Sequence, residues 1–123
     1  MFKVLFAHPD EKLVQIYKPL LSRHFSVDSA HDGLIALRKI KIINPHLIIA
    51  DCNLPSLSGL SLLEFVRQHP TLGMIPFVFL TTSNNIQSGL TLGANDWLDL
   101  NTTTPEILTE KIYHHLKFNP YGV

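Results

Sequence analysis

Residues 45–59 read Pro45-His46-Leu47-Ile48-Ile49-Ala50-Asp51-Cys52-Asn53-Leu54-Pro55-Ser56-Leu57-Ser58-Gly59. Leu47–Ala50 is an unbroken apolar run of strand length, with Pro45 before it and Asn53 and Pro55 after it. It has no polar face, which predicts an interior strand covered by helices on both sides. Asp51 ends that run. An unpaired carboxylate is costly to bury, so two readings stand: a nucleophile or ligand at the mouth of a sheet, or a cap for the turn Asn53-Leu54-Pro55. Cys52 follows in extended chain, points to the opposite side, and reads as a small buried hydrophobe.

Outward from this run, two patterns alternate. Phe2–Ala7, Phe25–Ala30, Phe77–Leu80 and Trp97–Leu98 are rich in β-branched and aromatic residues and predict further strands. Between them lie helical spacings: Leu13, Ile16, Tyr17, Leu20 and Leu21; Ala36, Leu37 and Ile40; Leu60, Leu63 and Val66; Leu108, Ile112 and Leu116, with Pro105 at the start of the last. Strands alternating with helices predict right-handed βαβ crossovers and a parallel α/β sheet. Pro19, inside the first helical pattern, predicts a kink. Sheets of this kind carry their functional residues at the carboxyl ends of the strands. Those ends are His8-Pro9-Asp10, Asp51-Cys52-Asn53, Thr81-Thr82 and Asp99-Leu100-Asn101.

The chain of 123 residues suits one domain, and 46% hydrophobic against 16% charged residues excludes a disordered chain. Ten Lys+Arg balance ten Asp+Glu, which gives no electrostatic footprint for nucleic acid or an anionic membrane. No apolar run is long enough to span a bilayer, and the sequence turns polar at His8, too early for a secretory signal. A single cysteine excludes an internal disulfide and fits a reducing cytoplasm. His114 and His115 are neighbours on a helix and do not share a face for a metal. There is no Walker loop, dinucleotide fingerprint or nucleophile elbow. An enzyme would have to be built from Asp51, Asp10, His8 and Thr81 alone.

The segment Pro45–Gly59 resembles the phosphoacceptor segment of the receiver domains of two-component response regulators. Ala30-His31-Asp32-Gly33 with Ala36-Leu37, Ile75–Thr82, and Gly93-Ala94-Asn95-Asp96-Trp97-Leu98 resemble three further family segments, in the same order. The resemblance covers essentially the whole chain. It implies a flavodoxin-like, five-stranded parallel sheet of order 2-1-3-4-5 with helices on both faces. It implies one receiver-like domain over residues 1–118, with 119–123 a tail or the start of a linker. It implies roles as well: Asp51 takes a phosphoryl group, Asn53 offers its backbone carbonyl to Mg²⁺, and Thr81 and Trp97 are switch residues. The packing reading of Trp97, and a strand-end hydrogen-bonding reading of Thr81 and Thr82, stand beside these. The implied partners are a histidine kinase or another signalling protein, a second copy of the chain, or a fused output domain.

Certain positions depart from the family. Two adjacent acids that hold Mg²⁺ are replaced by His8 and Pro9. Asp10, one residue on, could serve only if the loop shifts, and otherwise caps the first helix. Leu100 and Asn101 stand where the family has a lysine and a proline. The stretch from Thr81 to Gly93 is short by about one helical turn, so the fourth helix is expected to be short. These departures predict weakened Mg²⁺ binding through Asp10, Asp51 and Asn53, and impaired phosphorylation of Asp51, a pseudo-receiver acting by protein–protein interaction. A conventional receiver using Asp10 and Asp51 for Mg²⁺ is the alternative. His8 is expected either to approach Asp51 as an imidazolium, with Asp51 raising its pKa, or to be a solvated loop residue.

Overall fold

The computed structural model describes residues 1–117; the domain end expected at 118 and the tail 119–123 lie outside the described residues. Five strands alternate with five helices: β1 (Lys3–Ala7), α1 (Glu11–Leu21), β2 (Ser26–Ala30), α2 (Gly33–Ile43), β3 (Leu47–Ala50), α3 (Gly59–Gln68), β4 (Phe77–Thr81), α4 (Ile86–Thr91), β5 (Asp96–Asp99) and α5 (Pro105–His115). The strands are all parallel, in the order β2-β1-β3-β4-β5. This is the expected flavodoxin-like sheet.

Strand alternation builds two cores. Leu5 and Ala7, Ile48 and Ala50, and Phe77 and Phe79 point to one side, against Ala36 and Ile40 of α2 and Leu62, Leu63 and Val66 of α3. Val4 and Phe6, Leu47 and Ile49, and Val78 and Leu80 point to the other, against Tyr17 and Leu21 of α1 and Leu108 and Ile112 of α5. The three central strands therefore bury both faces, as the apolar run at 47–50 requires. Cys52 is buried on the α2–α3 side.

Two helical expectations need correction. Ile16 is 59% exposed. It lies about 100° round the helix from Tyr17, and the inner face is made instead by Leu13, Val14, Tyr17 and Leu21. Pro19 does not divide α1, which runs on to Leu21, and the Ser22 amide still reaches the Lys18 carbonyl at 2.9 Å. The proline falls in the last turn, so its missing amide leaves only the carbonyl of exposed Gln15 without a helical donor. The fourth helix is short as expected, six residues, and no side chain caps it.

Arg67 on α3 was not singled out by any pattern. Its guanidinium donates to the carbonyls of Gly73 (3.2 Å), Ile75 (2.7 Å) and Gly93 (2.8 and 3.0 Å) and to Asn95 Oδ1 (2.8 Å). Asn95 Oδ1 in turn accepts the Phe77 amide at 2.8 Å. One planar donor fork thus ties α3 to the loops that begin β4 and β5. Arg67→Ala is expected to lower unfolding free energy by about 2–4 kcal/mol, and Arg67→Lys to recover little of it. Urea denaturation checks both, and a loss below about 0.5 kcal/mol for Arg67→Ala would contradict the assignment.

Candidate functional site

Strand register decides which residues meet. Ala7 pairs with Ala30 on one side and Ala50 on the other. His8 and Asp51 each follow one residue later and so leave the sheet side by side. Backbone bonds fix them: the His8 amide donates to the Ala30 carbonyl and the Asp51 amide to the Ala7 carbonyl, both at 2.9 Å. This is the point where the strand order reverses, between β1 and β3, which opens a crevice at the carboxyl edge. Thr81 arrives from β4, beyond the Ala50–Phe79 pair.

Asp51 is 8% exposed. Its Oδ1 accepts the Thr81 hydroxyl at 2.5 Å and the Asn53 amide at 3.3 Å. Its Oδ2 faces His8 Nε2 at 3.6 Å, too long for a hydrogen bond. Among the described residues, this is its one contact with an ionisable base. The bond from the Asn53 amide is the contact the turn-cap reading expects.

His8 is neither of the two things expected of it. It is 5% exposed and so no solvated loop residue. Its ring approaches Asp51, yet its pKa lies below the usual value: burial disfavours the imidazolium more than Asp51 and Asp10 favour it. The Asp10 amide donates to His8 Nδ1 at 3.1 Å. Nδ1 is therefore the acceptor nitrogen, and in the neutral ring the hydrogen sits on Nε2. Nε2 is buried without a hydrogen-bond partner. The result is an uncharged N–H aimed at the Asp51 carboxylate. Protonating Nδ1 would set two donors against each other at the start of α1.

Asp10 is exposed and acts as the N-cap of α1, its Oδ1 accepting the amides of Lys12 (3.0 Å) and Leu13 (3.4 Å). Pro9 sits between it and His8 and offers no side-chain ligand. Leu100 packs against the core on the α1–α5 side, and Asn101 is exposed in a turn held by Asp99. Among the described residues, no three His, Cys, Asp or Glu side chains gather in a metal-holding group. The loop after Asp51 is tight. Ser56 has φ +68°, and the Leu57 amide reaches back to the Pro55 carbonyl at 2.7 Å, a γ-turn that strains a non-glycine residue. Gly59 starts α3 directly beneath: a Cβ there would lie 2.2 Å from the Asp51 carbonyl oxygen. Trp97 is half-buried, with its indole N–H donating to the Ser83 carbonyl at 3.1 Å. That bond had no sequence signal, since its acceptor is a main-chain carbonyl.

A parallel sheet of this order, with an acid at its switch point, is an arrangement shared with receiver-type signalling domains. The model of the response regulator receiver domain matches residues 4–112, and the chain belongs to this family. Receiver domains are generally non-enzymatic modules of two-component signalling that interact with histidine kinases and bind Mg²⁺ at the phosphorylation site. Alkaline phosphatase synthesis transcriptional regulatory protein PhoP of Bacillus subtilis is 33% identical over 100 residues, covering 78% of this chain and 41% of that protein. Transcriptional regulatory protein TrcR of Mycobacterium tuberculosis is 31% identical, covering 78% of this chain and 38% of that protein. This chain spans less than half the length of these relatives. Chemotaxis response regulator CheY4 of Vibrio cholerae superposes with a TM-score of 0.85 at 28% identity, covering 94% of this chain and 98% of that one. Among the described residues, no helix is long and apolar enough to cross a membrane.

His8 gives a signed prediction for pH. Its pKa is lower folded than unfolded, so the unfolded chain binds the extra proton first. The stability held by neutral His8 is complete above the unfolded value of about 6.5 and is lost as pH falls through the folded value. Urea midpoints measured between about pH 8 and 5 are expected to fall toward acid less steeply in His8→Asn than in the wild-type chain. Equal slopes would contradict a buried neutral ring.

Proposed function

We propose that this chain is a receiver domain whose phosphoacceptor position, Asp51, is a poor acceptor, so that it signals chiefly through protein–protein contacts. One observation carries the reading: the neutral His8 N–H faces the free oxygen of Asp51 where the family keeps a carboxylate for a metal. Phosphoryl transfer to a carboxylate depends on positioning and on cations that spread the charge of the transferred group. Mg²⁺ wants near-octahedral oxygen ligands. Here Asp51 Oδ1 is already engaged by Thr81 and Asn53, and Oδ2 looks at an N–H. Asp10 is spent on the helix cap, which leaves the Asn53 carbonyl as the other family ligand. This donor set does not fit Mg²⁺. Leu100 offers an apolar side chain where the family has a lysine.

Losing one such transition-state contact typically costs about 3 kcal/mol, roughly a hundredfold or more in rate. The reading therefore gives Thr81 a positioning role, holding Asp51 in place, and gives His8, Pro9 and Leu100 the roles of substituted positions. The partners it supports are a histidine kinase or another signalling protein in the cytoplasm, with a fused output domain or a second copy of the chain as the element controlled. A conventional phosphorylatable receiver using Asp10, Asp51 and Asn53 for Mg²⁺ is favoured by one fact, the Thr81 hydroxyl already turned onto Asp51.

Incubation with acetyl phosphate and Mg²⁺, followed by intact-mass measurement, separates the two. The proposal expects little or no phosphoryl increment in the wild-type chain. It expects an increment in the triple variant His8→Asp, Pro9→Asp, Leu100→Lys, absent again when Asp51→Asn is added. A full increment in the wild-type chain, lost in Asp51→Asn, establishes the conventional receiver instead.

A further inference from the structure

Strand β2 lies at an edge of the sheet, so one side of it has no neighbouring strand. The Ser26 amide donates to the Phe2 carbonyl, and the Ala30 carbonyl accepts the His8 amide. Residues alternate along a parallel pair, so Ser26, Asp28 and Ala30 bond to β1, and Val27 and Ser29 turn their N–H and C=O outward. An open edge of this kind is a template for another strand. Here its Ser29 half is already taken. The Ser29 amide donates to Asp28 Oδ1 at 2.8 Å, and the Ser29 carbonyl accepts from Lys39 Nζ at 2.8 Å. Lys39 Nζ also donates to the same Asp28 Oδ1 at 3.1 Å, which closes a ring of three bonds. From α1, on the opposite face of the sheet, Lys18 Nζ donates to Ser29 Oγ at 3.4 Å. Among the described residues, no side-chain bond covers the main-chain groups of Val27.

The outward residues decide what this edge could pair with. Two copies of the chain meeting edge to edge about a two-fold axis at Asp28 would set Val27 of one against Ser29 of the other, twice over. Each of those pairs would exchange two backbone hydrogen bonds. Within Ser26–Ala30 this is the one antiparallel register that makes more than one such pair, because only Val27 and Ser29 face outward. Both pairs need the Ser29 N–H and C=O, which Asp28 and Lys39 already hold.

We infer that Asp28 and Lys39 form a latch that shuts the β2 edge against a second copy of this chain, and that opening the latch turns this edge into a dimer contact. A charged lysine is a common guard of an edge strand; here it works by occupying the strand's own carbonyl while its ion-pair partner occupies the amide. Both side chains keep more than a third of their surface exposed, so the latch opens to solvent and not into the core. In the chain as it stands, a second copy has to meet some other face. The latch sits on the side of β1 away from β3 and outside the crevice at Asp51, so the acetyl phosphate assay and the following experiment can fail independently.

Sedimentation velocity over a range of concentrations is measured for the wild-type chain, for Lys39→Arg, which keeps a cationic donor, for Lys39→Met, which loses it, and for the double variant Asp28→Ala, Lys39→Met. Amide hydrogen exchange at Ser29 is followed in the same proteins when dilute. Ser29 exchange is expected to quicken about tenfold in the double variant, where Asp28 no longer accepts that amide. Dimer is expected to grow with concentration in Lys39→Met, and further in the double variant, beyond anything in the wild-type chain or Lys39→Arg. Adding Val27→Pro, whose lost N–H faces solvent in a single copy, is expected to abolish that dimer. Unchanged Ser29 exchange in the double variant overturns the latch. Association no greater than wild type in both opened variants, or association that survives Val27→Pro, overturns its role as guard of the edge. Lys39→Met with and without Val27→Pro decides the matter alone if the double variant does not fold.

Discussion

A carboxylate at the end of a buried strand must be answered by something, and here the answer is hydrogen atoms. Asp51 stands one residue beyond a strand buried on both faces, where desolvation makes an unanswered negative charge expensive. The Thr81 hydroxyl and the Asn53 amide take one oxygen, and the His8 N–H faces the other. The Asp10 amide, by donating to His8 Nδ1, keeps the hydrogen on Nε2. The first turn of α1 and the protonation state of the site are therefore one arrangement: the residue that caps the helix also chooses the tautomer that confronts Asp51.

This arrangement is reached through register. Parallel pairing of Ala7 with Ala50 obliges His8 and Asp51 to emerge together, and the reversal of strand order at β1 and β3 leaves them uncovered by a crossover helix. The same register carries Thr81 in from β4. Each contact at the mouth therefore inherits its position from apolar packing several residues away. The stiff loop of Ser56 and the closeness of Gly59 beneath Asp51 hold the acid's own main chain.

Much of this was legible beforehand, for physical reasons that differ by residue. The run Leu47–Ala50 announced an interior strand because burial on two faces erases polar alternation. The strand ends named the site because topology puts them there. The approach of His8 to Asp51 was one of two readings, open because His8 stands where the resemblance puts an acid, and the pairing of β1 with β3 decides for it. Its charge was not legible: Asp51 nearby argued for an imidazolium, and burial together with one backbone amide reverses that. Ile16 fits the helical stripe by spacing and is exposed all the same, since spacing does not say how wide the buried face is. Arg67 and the indole of Trp97 escaped because their partners are main-chain carbonyls, which every residue has and no pattern marks. The departures at Pro9 and Leu100 were readable as substitutions. What they do to the chemistry is a question of donors and charge at Asp51.

Asp51 faces a neutral imidazole with its hydrogen on Nε2. Long-range proton–nitrogen correlation NMR of the histidine rings at neutral pH, with His8 assigned by its loss in His8→Gln, reads this directly. A bare Nδ1 and a protonated Nε2 are expected for His8. A ring protonated on both nitrogens, or on Nδ1 alone, would contradict this.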